Sequence, residues 1–237
     1  MAELSPMMKQ YFETKKKYPD TILMFRLGDF YEMFFDDAVT ASRELELVLT
    51  GRACGQEERA PMCGVPFHSA DSYMARLVAK GYKVAICEQM EDPALAKGLV
   101  KREVVRVLTP GTVIENSMLN EGRNNFLASV YFTGESAGVC FIDVSTGSVN
   151  LTELAAPALP DKIINEIGRF MPSEIVFNSA SSSLTKVFSF ISNKTEALAQ
   201  ELGDNYFDPQ SSAEIILRHF KKDRSEERRV GKECRSR

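Results

Sequence analysis

The stretch Gly28-Asp29-Phe30-Tyr31-Glu32 decides the fold of the first part of this chain, and it closely follows an apolar run. Gly28 and Asp29 are typical of a tight turn between two strands. Because side chains two residues apart on a strand share a face, Phe30 and Glu32 point the same way and Tyr31 points the other. An aromatic ring beside a carboxylate is suited to entering a weakened base stack and hydrogen-bonding to the displaced base. The stretch therefore predicts a hairpin, and a tip that acted in this way would detect defects in DNA rather than a DNA sequence.

Four further sequence motifs follow the Gly-Asp-Phe-Tyr-Glu stretch. Phe-Phe-Asp-Asp-Ala occupies residues 34–38, Pro-Met-Cys-Gly-Val-Pro-Phe-His residues 61–68, Val-Ala-Ile-Cys-Glu-Gln residues 84–89 and Val-Val-Arg-Val-Leu-Thr-Pro-Gly-Thr residues 104–112. Together with the Gly-Asp-Phe-Tyr-Glu stretch, this series resembles the MutS family of DNA mismatch-repair proteins, whose Phe-x-Glu motif recognises mismatches. The resemblance is almost continuous to residue 112 and continues more weakly to about residue 223.

The resemblance implies an α/β fold in two parts. Residues 1–112 correspond to a mixed-sheet mismatch-recognition domain, residues 113–126 to a linker, and residues 127–223 to a truncated connector domain with a ribonuclease-H-like fold. It also implies that Phe30 wedges beside a mispaired base while Glu32 hydrogen-bonds to that base. Without the resemblance the packing interpretation is favoured, because hairpin aromatics usually pack in a core and glutamates are usually solvated.

Periodicity and turn residues predict the elements of the first domain. Ser5-Pro6 is a strong helix start, and the helix should run to about Lys17. Asp36 or Asp37 is expected to cap a second helix. The other expected elements are strands at 21–26 and 30–35, a polar loop at 51–60, a helix from 69 or 71 to 81, and buried strands at 83–87 and 103–108.

After the linker, three strand-like runs precede alternating helices and strands. Gly134-Glu135 and Thr146-Gly147 supply the turns between the runs. Three strands followed by a helix and a strand is the opening order of a ribonuclease-H-like domain. The expected strands are 127–132, 138–144, 148–154 and 174–177, and the expected helices are about 160–170 and 183–191.

The last fourteen residues, 224–237, differ from the rest. They contain six basic and three acidic residues and have no apolar periodicity. They resemble the translation of a sequencing-library adapter, and we interpret them as a non-native tail. The alternative is a basic tail that binds nucleic acid.

Candidates for contact with the DNA backbone are basic residues. Lys97, Lys101, Arg102 and Arg106 lie close together with Glu103 as the one acidic residue, within an acidic chain. By motif position, Arg52 and Arg102 match family residues that contact the backbone, and Lys97 and Lys101 are further candidates. Such contacts fix register and carry no sequence information. On charge pattern alone, a solvated strand edge is an equally good interpretation.

Met62 and His68 are further candidates for a position near DNA. His68 could contact DNA beside the lesion, although a histidine that ends an apolar run is more often a hydrogen-bonded structural residue. Met62 could pack against the minor groove, but packing in the core is favoured.

A metal-dependent nuclease is the alternative function. The carboxylates of Asp29, Glu32, Asp36 and Asp37 are clustered in sequence, and such clusters can bind Mg²⁺ for phosphodiester hydrolysis. Strand geometry puts Asp29 and Glu32 on opposite faces, which disfavours a shared metal. The first strand of the connector carries no acidic residue, and Asp143 on the second is expected to be structural. We therefore assign no catalytic residue and no metal ligand.

Bulk composition narrows the class of protein. The 237 residues carry a formal net charge of −4, so phosphate binding must come from a local basic patch. No apolar run approaches the roughly 18–20 residues that span a bilayer, and the start lacks the features of a secretory signal. The five cysteines show no zinc-site or disulfide pattern. These features favour a reduced, cytoplasmic location and no membrane partner, and the resemblance implies a place close to the nucleoid.

The resemblance also implies functions that these residues do not carry. The sequence has no phosphate-loop motif, so no residue is assigned to ATP. In the family, ATP and Mg²⁺ bind a C-terminal ATPase domain, through which the protein also forms a homodimer. The connector binds a MutL-type partner. The expectation for this chain is binding of mismatched double-stranded DNA, with no cofactor and no enzymatic activity of its own.

Overall fold

Eleven strands form two separate sheets in the computed structural model, which describes residues 4–55, 57–91, 98–115, 118–119 and 122–221. The first sheet ends with a strand that finishes at Leu108, and the second begins at Phe126. Each sheet contains both parallel and antiparallel pairs. The predicted α/β fold with mixed sheets is therefore confirmed. Lys97 and the suspected tail, residues 224–237, lie outside the described residues.

The first sheet has six strands in the order β3-β4-β2-β1-β5-β6. Neighbouring strands are antiparallel except β1 and β5, which are parallel. The strands are β1 Ile22–Leu27, β2 Phe30–Phe34, β3 Thr50–Arg52, β4 Ala60–Pro66, β5 Val84–Gln89 and β6 Arg102–Leu108, and the helices are α1 Pro6–Lys17, α2 Phe35–Leu45 and α3 Ala70–Ala79.

Helices cover both faces of this sheet, so β1 is buried on both sides. One face packs under α2 and α3 and includes Met24 and Tyr31. The other packs under α1, where the Tyr11 ring meets the Phe25 ring edge-on at 5.6 Å between centroids. Consecutive residues of β1 therefore alternate between two cores, which holds the strand firmly in the middle of the domain.

Two local predictions for this domain were wrong. Residues 51–60 are not one polar loop, because β3 and the first residue of β4 fall within them and pair with each other. The β6 strand is not buried along its length, because it lies at the edge of the sheet and alternate residues such as Glu103 and Val105 are exposed. Short strands and edge strands carry too little apolar sequence to be recognised locally.

The carboxylate of Asp37 connects three elements instead of capping α2, which is a further correction. The N-cap position of α2 is Phe34, and Asp37 is buried in the first turn. Its Oδ2 accepts hydrogen bonds from the Leu23 backbone N–H at 3.0 Å and the Tyr11 hydroxyl at 3.3 Å. Its Oδ1 forms an ion pair with Lys15 Nζ at 2.9 Å. One side chain therefore joins α1, β1 and α2.

The second sheet has five strands in the order β11-β10-β7-β8-β9. Three antiparallel strands followed by parallel ones is the arrangement expected for a ribonuclease-H-like domain. Neither β11 nor the last helix is among the elements predicted from the sequence. The strands are β7 Phe126–Phe132, β8 Ser136–Asp143, β9 Ser148–Ala155, β10 Glu174–Phe177 and β11 Leu198–Glu201, and the helices are α4 Leu159–Phe170, α5 Thr185–Lys194 and α6 Pro209–Phe220.

A buried carboxylate connects the second sheet to the segment that follows β6. Glu174, on β10, is 2% exposed. Its Oε2 accepts hydrogen bonds from the Gly111 backbone N–H at 3.0 Å and from the Thr109 hydroxyl. Its Oε1 accepts one from Gln200 Nε2 at 2.8 Å. The segment leaving the first domain is thus fastened to the second domain by a fully bonded side chain.

None of the helices among the described residues is long and apolar enough to cross a lipid bilayer.

We predict that Asp37→Ala lowers the free energy of unfolding by about 3 kcal/mol, because the Leu23 N–H is left buried without its acceptor and Lys15 loses its partner. Urea unfolding followed by circular dichroism measures the change. Asp36→Ala is the matched control, since Asp36 is exposed in the same helical turn and its loss should cost about 0.5 kcal/mol. Equal losses in the two variants would contradict the assigned role of Asp37.

Candidate nucleic-acid interface

The hairpin of β1 and β2 has a two-residue turn. Leu27 pairs with Phe30, so Gly28 and Asp29 alone connect the strands. Gly28 has φ of 60°, a conformation that hairpin turns of this length require and that glycine adopts without strain. The predicted turn is therefore present at the predicted residues.

Side chains alternate along β2 as the sequence predicted. Tyr31 is buried, whereas Phe30 is 46% exposed. Glu32 lies on the same face as Phe30 and is half-buried. On this face the neighbouring Phe25 is fully buried under α1, so the helix leaves only the outer end of the hairpin uncovered. The geometry presents the Phe30 ring to solvent at the tip of the hairpin, and Phe67, which is 44% exposed, lies beside the same turn on the opposite face.

Glu32 forms an ion pair with Arg52. The two side chains come from β2 and β3, and their closest atoms are Glu32 Oε2 and Arg52 Nη1. The strand between them is β4, where Gly64 pairs with Glu32. A Cβ atom at Gly64 would lie 3.4 Å from Glu32 Cγ and 3.2 Å from the Tyr31 carbonyl oxygen. A side chain at Gly64 would therefore crowd Glu32 and the backbone of Tyr31.

A stacked pair of side chains supports the turn from the opposite face. The Arg26 guanidinium lies 3.9 Å from the centroid of the Phe67 ring, and its Nε donates to the Gly28 carbonyl. The Phe67 backbone N–H donates to the Asp29 carbonyl at 2.9 Å. Both turn residues are thus held through their carbonyl groups. Sequence reasoning missed this role of Arg26 and Phe67, although Phe67 belongs to the motif at residues 61–68.

Glu88 links Arg26 of the stacked pair to the core residue Tyr31. It accepts a hydrogen bond from the Tyr31 hydroxyl, and its Oε2 lies 3.7 Å from Arg26 Nη1. Burial, together with the Glu88 carboxylate, raises the pKa of the Tyr31 hydroxyl to about 12. The hydroxyl therefore keeps its proton at neutral pH and remains a donor to Glu88.

Arg102 is placed differently from the other predicted backbone contacts. Its guanidinium is buried over the Phe25 ring at 5.2 Å and donates to the Arg26 carbonyl, Gln10 Oε1 and the Val100 carbonyl at 2.8–2.9 Å. Burial lowers the pKa of Arg102, and the nearby positive charge of Arg52 lowers it further. A direct contact of Arg102 with phosphate would require breaking these bonds. In this structure Arg102 joins β6 to α1 and β1.

The remaining candidates lie at several places. Lys101 is exposed beside Glu103, with Nζ 2.7 Å from Oε1. His68 is exposed and edge-on to the Phe67 ring, directly beside the hairpin turn. Met62 packs against the core under α1. The structure thus places Phe30 and His68 at the turn end of the hairpin, where Phe30 pairs with Pro66. Arg52 lies beside Ala60, at the opposite end of β4, and its side chain reaches Glu32 through the ion pair. Met62 and Arg102 lie inside the domain.

The carboxylates of the nuclease hypothesis do not converge. Glu32 is paired with Arg52, Asp37 is bonded to Lys15 and Leu23, and Asp29 is exposed in the turn. Within the described ranges, no group of three or more histidine, cysteine, aspartate or glutamate residues is arranged to hold a metal ion.

Comparison with known families gives two matches that together cover most of the chain. The model of MutS domain I matches residues 5–117, and the model of MutS domain II matches residues 125–234. The first range contains the hairpin and all of the first sheet, and the second contains the second sheet.

Individual relatives agree with these matches. The DNA mismatch repair protein MutS of Ruminiclostridium cellulolyticum is 52% identical over 222 residues, which are 94% of this chain and 25% of that protein. The MutS proteins of Acetivibrio thermocellus and Clostridioides difficile are 52% and 53% identical over 93% and 88% of this chain, and over 25% and 21% of their own lengths. The chain thus spans about a quarter of the length of these relatives.

We predict that Arg26→Met loosens the hairpin turn without unfolding the domain. Loss of the stacked guanidinium and its bond to the Gly28 carbonyl should accelerate hydrogen exchange of the Phe67 amide about tenfold. Amide exchange followed by NMR measures this. Arg169→Met is the matched control, because the exposed Arg169 lies over the Phe170 ring in the second domain at 5.1 Å. An unchanged Phe67 exchange rate would contradict the proposed support.

Proposed function

The chain belongs to the MutS family of DNA mismatch-repair proteins, and on that premise we propose that its first domain detects mispaired bases in double-stranded DNA. The observation that carries the proposal is the exposed ring of Phe30 at the tip of a hairpin whose turn is held on the opposite face. An exposed aromatic side chain on a rigid support is suited to inserting between bases.

The physical basis of detection is the cost of opening the base stack. Inserting a ring between base pairs costs a few kcal/mol, and less at a mismatch because the pairing there is already weak. Stacking of Phe30 on the mispaired base offsets this cost only where the base is easily displaced. The difference between the insertion costs at matched and mismatched positions is the free energy by which Phe30 is proposed to discriminate between them.

The proposed role of Glu32 is to accept a hydrogen bond from the displaced base. Its position on the same face as Phe30, one pleat further along β2, supports this role. A carboxylate near phosphates weakens binding to any duplex, so Glu32 favours specificity over affinity. Its partner Arg52, together with Lys101 and Lys97, supplies the proposed contacts to the backbone. We propose that Arg102 supports these contacts from within the domain, because its guanidinium is already bonded to protein.

The functions of the longer relatives are carried over as proposals only. We propose that a protein of their length containing this chain is an ATPase that binds ATP and Mg²⁺ outside it and dimerises there. We also propose that the second domain meets a MutL-type partner. The region described here is proposed to have no enzymatic activity, and no observation favours a nuclease. Action on chromosomal DNA implies a cytoplasmic location at the nucleoid.

We predict that Phe30→Ala abolishes the preference for mismatched DNA. Losing one aromatic–base stack should reduce affinity for a G·T-mismatched duplex by about 10- to 100-fold, with little effect on a matched duplex. Fluorescence anisotropy with both duplexes at one stated salt concentration measures the ratio of the two affinities. Phe220→Ala, which removes an exposed ring from α6, is the control. A ratio unchanged by Phe30→Ala would overturn the proposed function.

We predict that Glu32→Ala strengthens binding to matched DNA about threefold, because a negative charge near the phosphates is removed and Arg52 is released. The gain should shrink as salt is raised, since exposed charges are then screened. The same anisotropy measurement applies, with Glu153→Ala as the control for loss of an exposed carboxylate in the second domain. Weaker matched binding in Glu32→Ala would contradict the assigned role.

A further inference from the structure

The ion pair between Glu32 and Arg52 joins two side chains that the proposed function assigns to different DNA groups. Glu32 is to bind a base, and Arg52 is to bind a phosphate. In the structure they bind each other. They cannot bind the base and the phosphate without separating. The free energy of breaking or keeping the ion pair therefore contributes to the binding free energy of every complex that the hairpin forms.

The pair is accessible enough to exchange partners. The Arg52 side chain is 39% exposed and that of Glu32 is 16% exposed, so solvent and DNA reach the guanidinium more easily than the carboxylate. Ion pairs at this level of exposure are weak, and a guanidinium binds phosphate with the same planar geometry as it binds carboxylate. Arg52 therefore loses little by exchanging the Glu32 carboxylate for a phosphate.

Glu32, in contrast, needs a new partner when Arg52 leaves. Its carboxylate would otherwise stand unpaired and partly buried close to the negative charges of DNA. A matched duplex offers it no displaced base, so retaining the pair is favoured there. At a mismatch the displaced base offers a donor, and both charged groups are then satisfied.

Resting on the proposed function, we propose that Arg52 is a specificity-determining residue that stays paired with Glu32 on matched DNA and transfers to a backbone phosphate only at a mismatch. Discrimination then comes from two sources. Phe30 senses how easily the stack opens, and the Glu32–Arg52 pair adds one phosphate contact only where Glu32 has found a base.

The salt dependence of binding tests the exchange, because each phosphate neutralised contributes about 0.9 to the slope of log affinity against log salt concentration. Measured on the full 237-residue chain, Arg52→Gln should reduce this slope by about 0.9 on a G·T-mismatched duplex and leave it unchanged on the matched duplex. Arg52→Lys should keep the wild-type slope. Arg169→Gln, which removes an exposed, ion-paired arginine from α4, should change neither slope.

A second pair of variants tests the retention of the ion pair on matched DNA. Glu32→Gln frees Arg52 and should steepen the slope on the matched duplex by about 0.9, and adding Arg52→Gln to this variant should remove the increase. Circular dichroism checks that each variant is folded. We expect the Arg52 variants to fold, because the Arg52 side chain is 39% exposed on the short strand β3.

The possible outcomes separate this inference from the proposed function. If Arg52→Gln lowers the salt slope equally on both duplexes, Arg52 already contacts phosphate on matched DNA. If it lowers the salt slope on neither duplex, the ion pair persists at the mismatch. Either result overturns the exchange while leaving the role of Phe30 intact. A wild-type chain without any mismatch preference would overturn both the proposed function and the exchange.

Discussion

The burial of β1 on both faces of the first sheet is the constraint on which the candidate interface depends. Its residues Ile22 to Phe25 alternate between the core under α1 and the core under α2 and α3. The strand is also hydrogen-bonded on both edges, to β2 and to β5. Because both faces of β1 are covered and both of its edges are hydrogen-bonded, the hairpin projects from a well-anchored strand. The exposure of Phe30 is tolerable for the same reason, since the stability of the domain does not rely on that ring.

The basic side chains near the hairpin have partners within the protein. The chain as a whole is acidic, and the basic groups near the hairpin are individually engaged with protein. Arg52 is paired with Glu32, Lys101 lies beside Glu103, and Arg102 is bonded to backbone and side-chain acceptors. A surface of this kind attracts intact DNA only weakly. Under the proposed function, weak attraction to the great excess of matched DNA would suit the search for rare defects.

Local sequence predicted the hairpin, because a Gly-Asp turn between aromatic and apolar runs has few alternatives and the two-residue period fixes the faces of Phe30, Tyr31 and Glu32. It did not predict the Glu32–Arg52 pair, which depends on β4 lying between β2 and β3 and therefore on sheet order. The position of Arg102 was missed for a similar reason. A guanidinium is normally solvated, and its burial follows from α1 and the end of β1 meeting at β6, a contact between segments about 75 to 90 residues apart.

The carboxylate of Glu174 has a mechanical consequence. A continuous path of hydrogen bonds runs from the hairpin through β1, β5 and β6 to the segment at Thr109–Gly111, and from there through Glu174 to β10. Every step of this path is backbone pairing or a buried side chain with its acceptor positions occupied, although the β5–β6 pairing has a register shift between Ile86 and Cys87. A displacement of the hairpin tip would therefore be coupled to the second sheet through these bonds.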